Sequence, residues 1–145
     1  MKILVSACLL GICCRYNGEG ELDPQVAALM KEHQLIPVCP EILGGLPTPR
    51  VPAERLGNQV ITKENQDVTE AYTRGAAETL KLAKLYGCTR AILKERSPSC
   101  GSGRIYDGTF SRKQIDGYGV TAELLEKNGI QTAGESNFAG IEGFL

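Results

Sequence analysis

Residues 92–104 read ILKERSPSCGSGR, an apolar run that gives way within a few residues to small, turn-forming ones with Cys100 in their midst. It is one of six cysteines, the others being Cys8, Cys13, Cys14, Cys39 and Cys88. A thiol can ligate a metal, attack an electrophile, or simply pack, since free cysteine is among the most buried residue types. An even number of cysteines points to disulfides in short secreted chains that lack a core. The N-terminal MKILVSACLLG resembles an export signal only superficially. Ser6 breaks its apolar stretch, and it runs into CCRYNGEGE without a small-x-small cleavage site. The expectation is a cytoplasmic protein with reduced thiols and a buried first strand.

The elements that must position those thiols follow from periodicity. KILVS, residues 2–6, is an apolar run suited to a buried strand. LDPQVAALMKEH predicts a helix with Asp23 as N-cap and Pro24 at the first helical position, presenting Val26, Leu29 and Met30 on one face. QLIPVCP is a second strand ended by Pro40, and EILGGLPTPRVPAE reads as loop. QVITKENQDVT is expected to fold as a small hairpin. Residues 68–86 form the longest helix, with Tyr72, Ala76, Leu80 and Ala83 on a stripe and Gly87 as its stop. TRAILK is a further strand, GVTAELLEKNG a last helix and IQTA a last strand. Strands alternating with helices predict a single α/β domain over residues 1–145, three-layered, with a mostly parallel sheet and helices on both faces.

Composition excludes several functions. A formal net charge of −1 and an isoelectric point near 5.9 give no broad attraction to nucleic acid or anionic membrane. No apolar run approaches the roughly 20 residues of a membrane span. A length of 145 residues with 42% hydrophobic content supplies a real core.

Placed on this layout, Cys8 lies just beyond the first strand, Cys39 at the end of the second, and Cys100 in the loop after AILK. Open α/β sheets bind ligands at the carboxyl ends of their strands, so these three thiols can converge on one site. Cys13 and Cys14 are adjacent, and neighbouring side chains seldom aim at one centre; Cys88 follows a helix stop and suits the core. Structural zinc is usually closed by four ligands, often in CxxC pairs, which are absent here, and His33 lies on a helix away from the strand ends. Iron–sulfur clusters are normally held by four cysteines, and one held by three keeps an open iron able to take sulfur. CLLGICCR also suggests the C-x5-R phosphate loop of small phosphatases. Six residues rather than five separate Cys8 from Arg15, however, which spoils the ring of N–H donors. SCGSGR lacks the GK[ST] of a nucleotide-binding loop.

SACLLGICCRYNG, VCPEILGGLPTPRVPAE and ILKERSPSCG together resemble the short, single-domain thiouracil desulfurase family, over nearly the whole chain and in the same order. Asn17 stands where many relatives have aspartate. The resemblance implies a [4Fe–4S] cluster held by Cys8, Cys39 and Cys100 with one open iron. It further implies that this iron captures the sulfur of a thiocarbonyl substrate, such as a thiolated uracil, and that C=S becomes C=O with release of sulfide and no net redox change. Glu41 and Ser97 match family residues that move protons or position water.

The residues themselves accord with those roles. Glu41, two positions past Cys39, can face the same pocket, or else serve the first turn of a short helix. Ser97 precedes Pro98, and its hydroxyl can relay a proton or bond its own turn. Ser6 is a candidate to bond cluster or substrate. Arg50, Glu54, Lys94, Glu95 and Arg96 are expected to form ion pairs that hold the loops. The expected partner is a small thiolated base, with neither nucleic acid nor membrane. Two other functions compete: a cluster- or sulfur-binding module without turnover, and a metal-free enzyme with a cysteine nucleophile.

Overall fold

In the computed structural model, which describes residues 1–145, Lys2–Ser6 form β1, with every residue after Lys2 buried. A 3-10 turn, Ala7–Leu10, carries the chain off the end of β1. α1 is Pro24–Ala28, and Asp23 caps it by accepting from the backbone N–H groups of Gln25 and Val26 at 2.9 and 3.1 Å. The predicted helix is longer than the observed one. After Ala28 the chain tightens into a 3-10 turn, Leu29–Lys31, and Met30 is exposed rather than packed. The chain must reverse here, because Gln34 already bonds the carbonyl of Met1 at the start of β2, Gln34–Val38.

β2 leads into a short helix, α2, Pro40–Leu43, in a stretch expected to be loop. β3, Ala53–Leu56, and β4, Gln59–Thr62, pair antiparallel across Gly57 and Asn58. The predicted hairpin over residues 59–69 forms in reduced form, with a single antiparallel bridge between Ile61 and Asp67, and the longer pairing of β4 is with β3 before it. Prolines on either side of Val51 hide β3, whereas Gly57, at φ 61°, supplies the turn. α3 is Thr69–Tyr86, ended by Gly87 in the left-handed region, and its Tyr72, Ala76 and Ala83 are buried as expected. β5, Arg90–Leu93, is followed by a second hairpin that sequence patterning did not reveal, β6 at Arg104–Tyr106 and β7 at Gln114–Asp116. Strands of three residues are too short to show an alternating pattern. α4, Val120–Lys127, and β8, Gln131–Gly134, complete the order.

The main sheet is parallel throughout, in the order β2-β1-β5-β8. Successive side chains of a strand point to opposite faces, and two apolar clusters follow from that. Ile3, Val5, Ile92 and Ala133 pack against Leu9, Val26, Phe138 and Phe144 on one face. Leu4, Ile36, Val38, Ala91 and Leu93 pack under α3 and α4 through Ala83, Ala122 and Leu125 on the other. The three-layer α/β arrangement is thus the one the alternation predicted. No helix is long and apolar enough to cross a membrane.

α2 and α3 cross at backbone contact. A Cβ on Gly75 would stand 2.0 Å from the Pro40 carbonyl oxygen, and one on Gly44 would stand 2.0 Å from that of Ala71. Glycine inside a helix costs about 1 kcal/mol relative to alanine, so its place in α3 is explained by this approach. Through it α3 fixes α2, and α2 fixes the residues that follow β2. Gly75→Ala is therefore expected to destabilise the chain by about 2 kcal/mol in urea unfolding. Gly140→Ala, where a Cβ meets nothing within 4 Å, should stay within about 0.5 kcal/mol of the parent.

Candidate active site

The parallel register makes the strand ends level. Ser6 at the end of β1 pairs with Val38 at the end of β2, and Val5 pairs with Ile92 of β5. Beyond these ends lies a cavity of about 270 Å³, lined by Ser6, Cys8, Cys39, Glu41, Ser97 and Cys100 among others. All six candidate residues from distant parts of the chain therefore share one cavity. Cys14 lines it too. Sequence reasoning set Cys14 aside with Cys13 because the two are adjacent, yet adjacency is what separates them. Cys13 is exposed, while Cys14 is buried with only 3% of its surface accessible. Cys88 lies in the core beneath α3 and α4.

Each wall has its own scaffold. Cys8 sits in the 3-10 turn directly after β1, and Cys39 is the N-cap residue of α2. The Cys100 loop is held against the start of α4. Gly119 and Thr121 donate their N–H groups to the carbonyls of Gly101 and Ser99, at 2.8 and 2.9 Å. The Ser99 and Thr121 hydroxyls meet at 2.8 Å, and Gly119 must lack a Cβ, which would lie 2.4 Å from the Ser99 carbonyl. Ser97 caps this loop, its Oγ accepting from the N–H groups of Ser99 and Cys100 at 3.1 and 3.0 Å. The turn-forming role of Ser97 is thus realised, and its hydroxyl proton is still available to the cavity. Ser6 Oγ accepts the Lys94 N–H at 2.9 Å, tying the end of β1 to the end of β5.

Glu41 lies in the first turn of α2 and is held from two sides. Arg50 Nη2 bonds its Oε2 at 3.0 Å, and the Tyr72 hydroxyl donates to the same oxygen at 3.4 Å. The pair is largely withdrawn from water, with 6% of the Arg50 side chain and 14% of the Glu41 side chain accessible. Arg50 Nη2 also donates to the Cys14 carbonyl at 3.1 Å, so one guanidinium joins two walls. Sequence reasoning offered no role for Tyr72 beyond packing. Burial and the neighbouring Glu41 push its pKa well up, so it remains a phenol and a donor.

The expectation of ion pairs at five positions is met unevenly. Lys94 pairs with Glu135 at 2.8 Å and Glu21 at 3.1 Å. Burial disfavours its charge, but these carboxylates outweigh that and raise its pKa. Glu54 accepts from the N–H groups of Gly108 and Phe110 at 3.0 and 3.1 Å, and so fastens the β6–β7 hairpin over the site. Glu95 bonds the N–H and hydroxyl of Ser136. Ion pairs thus form at Arg50 and Lys94 only: Glu54 and Glu95 are held by hydrogen bonds instead, and Arg96 is exposed at the cavity mouth with no ion pair.

Cys14, Cys39 and Cys100 lack the lowered pKa that a cysteine nucleophile needs. Burial first, then Glu41, pushes Cys100 up to about 12. For Cys14 a hydrogen bond from Cys39 favours the thiolate, but the bond to Cys8 and burial outweigh it, and its pKa is pushed up to about 11. Cys39 is raised by its bond with Cys14 and by burial. No three His, Cys, Asp or Glu side chains are grouped to surround a single ion. A cluster offers its ligands several iron corners rather than one point, and four soft sulfur donors around a cavity suit that chemistry. The buried Arg50 Nε has no partner within the protein, which leaves a donor for an acceptor held there. The residues present fit an iron–sulfur cluster.

A family model described as 2-thiouracil desulfurase matches residues 3–137. The uncharacterized protein YbbK of Bacillus subtilis (strain 168) is 47% identical over 149 residues, covering 96% of this chain and 99% of that protein. A solved structure, the [4Fe-4S]-dependent thiouracil desulfidase TudS, superposes with a TM-score of 0.90 at 47% identity, covering 96% of this chain and 93% of that one.

The Arg50 guanidinium has a measurable consequence. Arg50→Ala leaves the Glu41 carboxylate buried without its cation, and urea unfolding should show a loss of about 3 kcal/mol. Adding Glu41→Gln to that variant should restore part of the loss, because the uncompensated charge is then gone.

Proposed function

The chain belongs to the 2-thiouracil desulfurase family, and on that premise we infer that it converts a 2-thiouracil-like thiolated base to the carbonyl compound and sulfide. The observation that carries the reading is the gathering of Cys8, Cys39 and Cys100 at the level ends of β1, β2 and β5, with a buried carboxylate beside them. We assign these three cysteines to a [4Fe–4S] cluster. When bound, such a cluster with an open position supplies a Lewis-acidic iron with an affinity for sulfur.

The remaining chemistry belongs to the protein. Tyr16, Tyr106 and Phe110 line the cavity and offer aromatic faces to a planar base. Glu41 takes a proton from the water that attacks the thiocarbonyl carbon, while Arg50 and Tyr72 hold its oxygen in place. A carbon–oxygen bond forms and the carbon–sulfur bond breaks. Water thereby supplies the new oxygen and the protons carried off as hydrogen sulfide, with no electron gained or lost. Ser97 accepts two backbone N–H groups, so its own proton points to an acceptor on the substrate ring. Ser6, already bonded to Lys94, gives a second hydroxyl near Cys100.

The test is anaerobic reconstitution with iron and sulfide counted, followed by assay of 2-thiouracil for uracil and sulfide. The wild-type chain should hold about four irons, and Cys8→Ala, Cys39→Ala and Cys100→Ala should each lose them. Glu41→Gln should keep the iron yet lower kcat by about 10²- to 10⁴-fold. A loaded chain that binds thiouracil and releases no sulfide would instead be a binding module, and activity that survives chelation would refute the cluster assignment.

A further inference from the structure

Cys14 is the one cavity thiol that the proposed chemistry leaves without work. Its position is nonetheless firmly set. Its N–H bonds the Ile12 carbonyl at 2.8 Å, and its own carbonyl accepts from Arg50 Nη2 at 3.1 Å and from the Cys39 thiol at 3.8 Å. It lines the same cavity as Cys8, Cys39 and Cys100. Whatever group those three sulfurs hold is therefore within reach of the fourth. Two charged side chains of the wall are already engaged: Glu41 by Arg50 and Tyr72, and Lys94 by Glu135 and Glu21. Cys14 is buried, soft and unassigned, facing a centre that lacks one soft donor.

We propose that Cys14 is a displaceable fourth ligand, which occupies the iron left open by Cys8, Cys39 and Cys100 until substrate sulfur replaces it. This rests on the cluster assignment made above. Forming the bond releases the Cys14 thiol proton to solvent through the cavity, and displacement returns a proton to the sulfur. One iron–sulfur bond is exchanged for another with no change of oxidation state. The device selects by softness. A thiocarbonyl sulfur can displace a thiolate, whereas the carbonyl oxygen of the product, a hard donor, cannot compete with it. Cys14 thereby favours sulfur-bearing substrates and returns to the iron as product leaves.

The experiment compares the full-length wild-type chain with Cys14→Ala and Cys14→Ser, each reconstituted anaerobically, reduced, and examined by electron paramagnetic resonance with and without sodium sulfide. Without sulfide the variants should differ from wild type, because water or hydroxyl stands where the thiolate stood. With saturating sulfide all three spectra should coincide, and the variants should bind sulfide several-fold more tightly because nothing has to be displaced. Cys13→Ala, at the exposed neighbouring thiol, should follow wild type. Identical sulfide-free spectra with equal sulfide affinity would overturn the proposal while leaving the cluster assignment intact. Folded variants of normal circular dichroism that take up no iron would also overturn it, by making Cys14 a permanent ligand. A wild-type chain that takes up no iron would instead bring down the functional reading itself. Should Cys14→Ala fail to fold, Cys14→Ser preserves the volume and hydrogen bonding and decides the matter alone.

Discussion

Hydrogen bonding between parallel strands fixes which residues stand side by side, and in this chain it sets Ser6 against Val38 and Val5 against Ile92. Since β1, β2 and β5 are neighbours, the loops that leave them open onto the same space. A register slip of one residue in β2 would turn Ile36 and Val38 to the wrong face and move Cys39 away from Cys8. The buried apolar alternation that stabilises the sheet is thus the same feature that brings the cysteines together. Stability and site geometry are not separate properties of these strands.

Around that edge the structure solves a problem of charge and polarity. Several thiols, a carboxylate and loop backbone are withdrawn from water together, and each needs a partner. Arg50 answers for Glu41 and the Cys14 carbonyl, while Lys94 ties Glu21 to Glu135 across the opposite rim. The Cys100 loop uses the first N–H groups of α4, which a helix cannot satisfy internally, to bind its own carbonyls. Two close glycine contacts, at Gly75 and Gly119, let these pieces approach without intervening side chains. The result is a rigid wall for a bulky group, with the β3–β4 and β6–β7 hairpins fastened above it through Glu54 and Arg55.

Much of this is legible in the residues. The apolar run of β1, the cap at Asp23, the stripe and glycine stop of α3, and the alternation of strands with helices all report local physics, and all appear in the fold. The hairpins are less legible because β3 is masked by prolines and β6 and β7 are three residues each, below the length at which alternation shows. In the site, the strand-end positions of Cys8, Cys39 and Cys100 can be read from the layout. Gly75, an unfavourable residue inside a good helix, is a signal of close approach that sequence reasoning could have used. Arg96, expected to be paired, stands free at the rim instead.

By itself, then, the sequence determined the fold class, the family, and the three strand ends at which thiols would gather, because hydrophobic period, caps and contiguous motifs are properties of neighbouring residues. The packing of distant elements is what brings Cys14 to those thiols and leaves Cys13 outside, sets Arg50 against Glu41, and lets Tyr72 reach from α3 to the same carboxylate. Those facts depend on how elements 9, 25 or 31 residues apart pack against one another. No local pattern records that packing, since it is fixed by the shape of two cores and the backbone contact of α2 with α3.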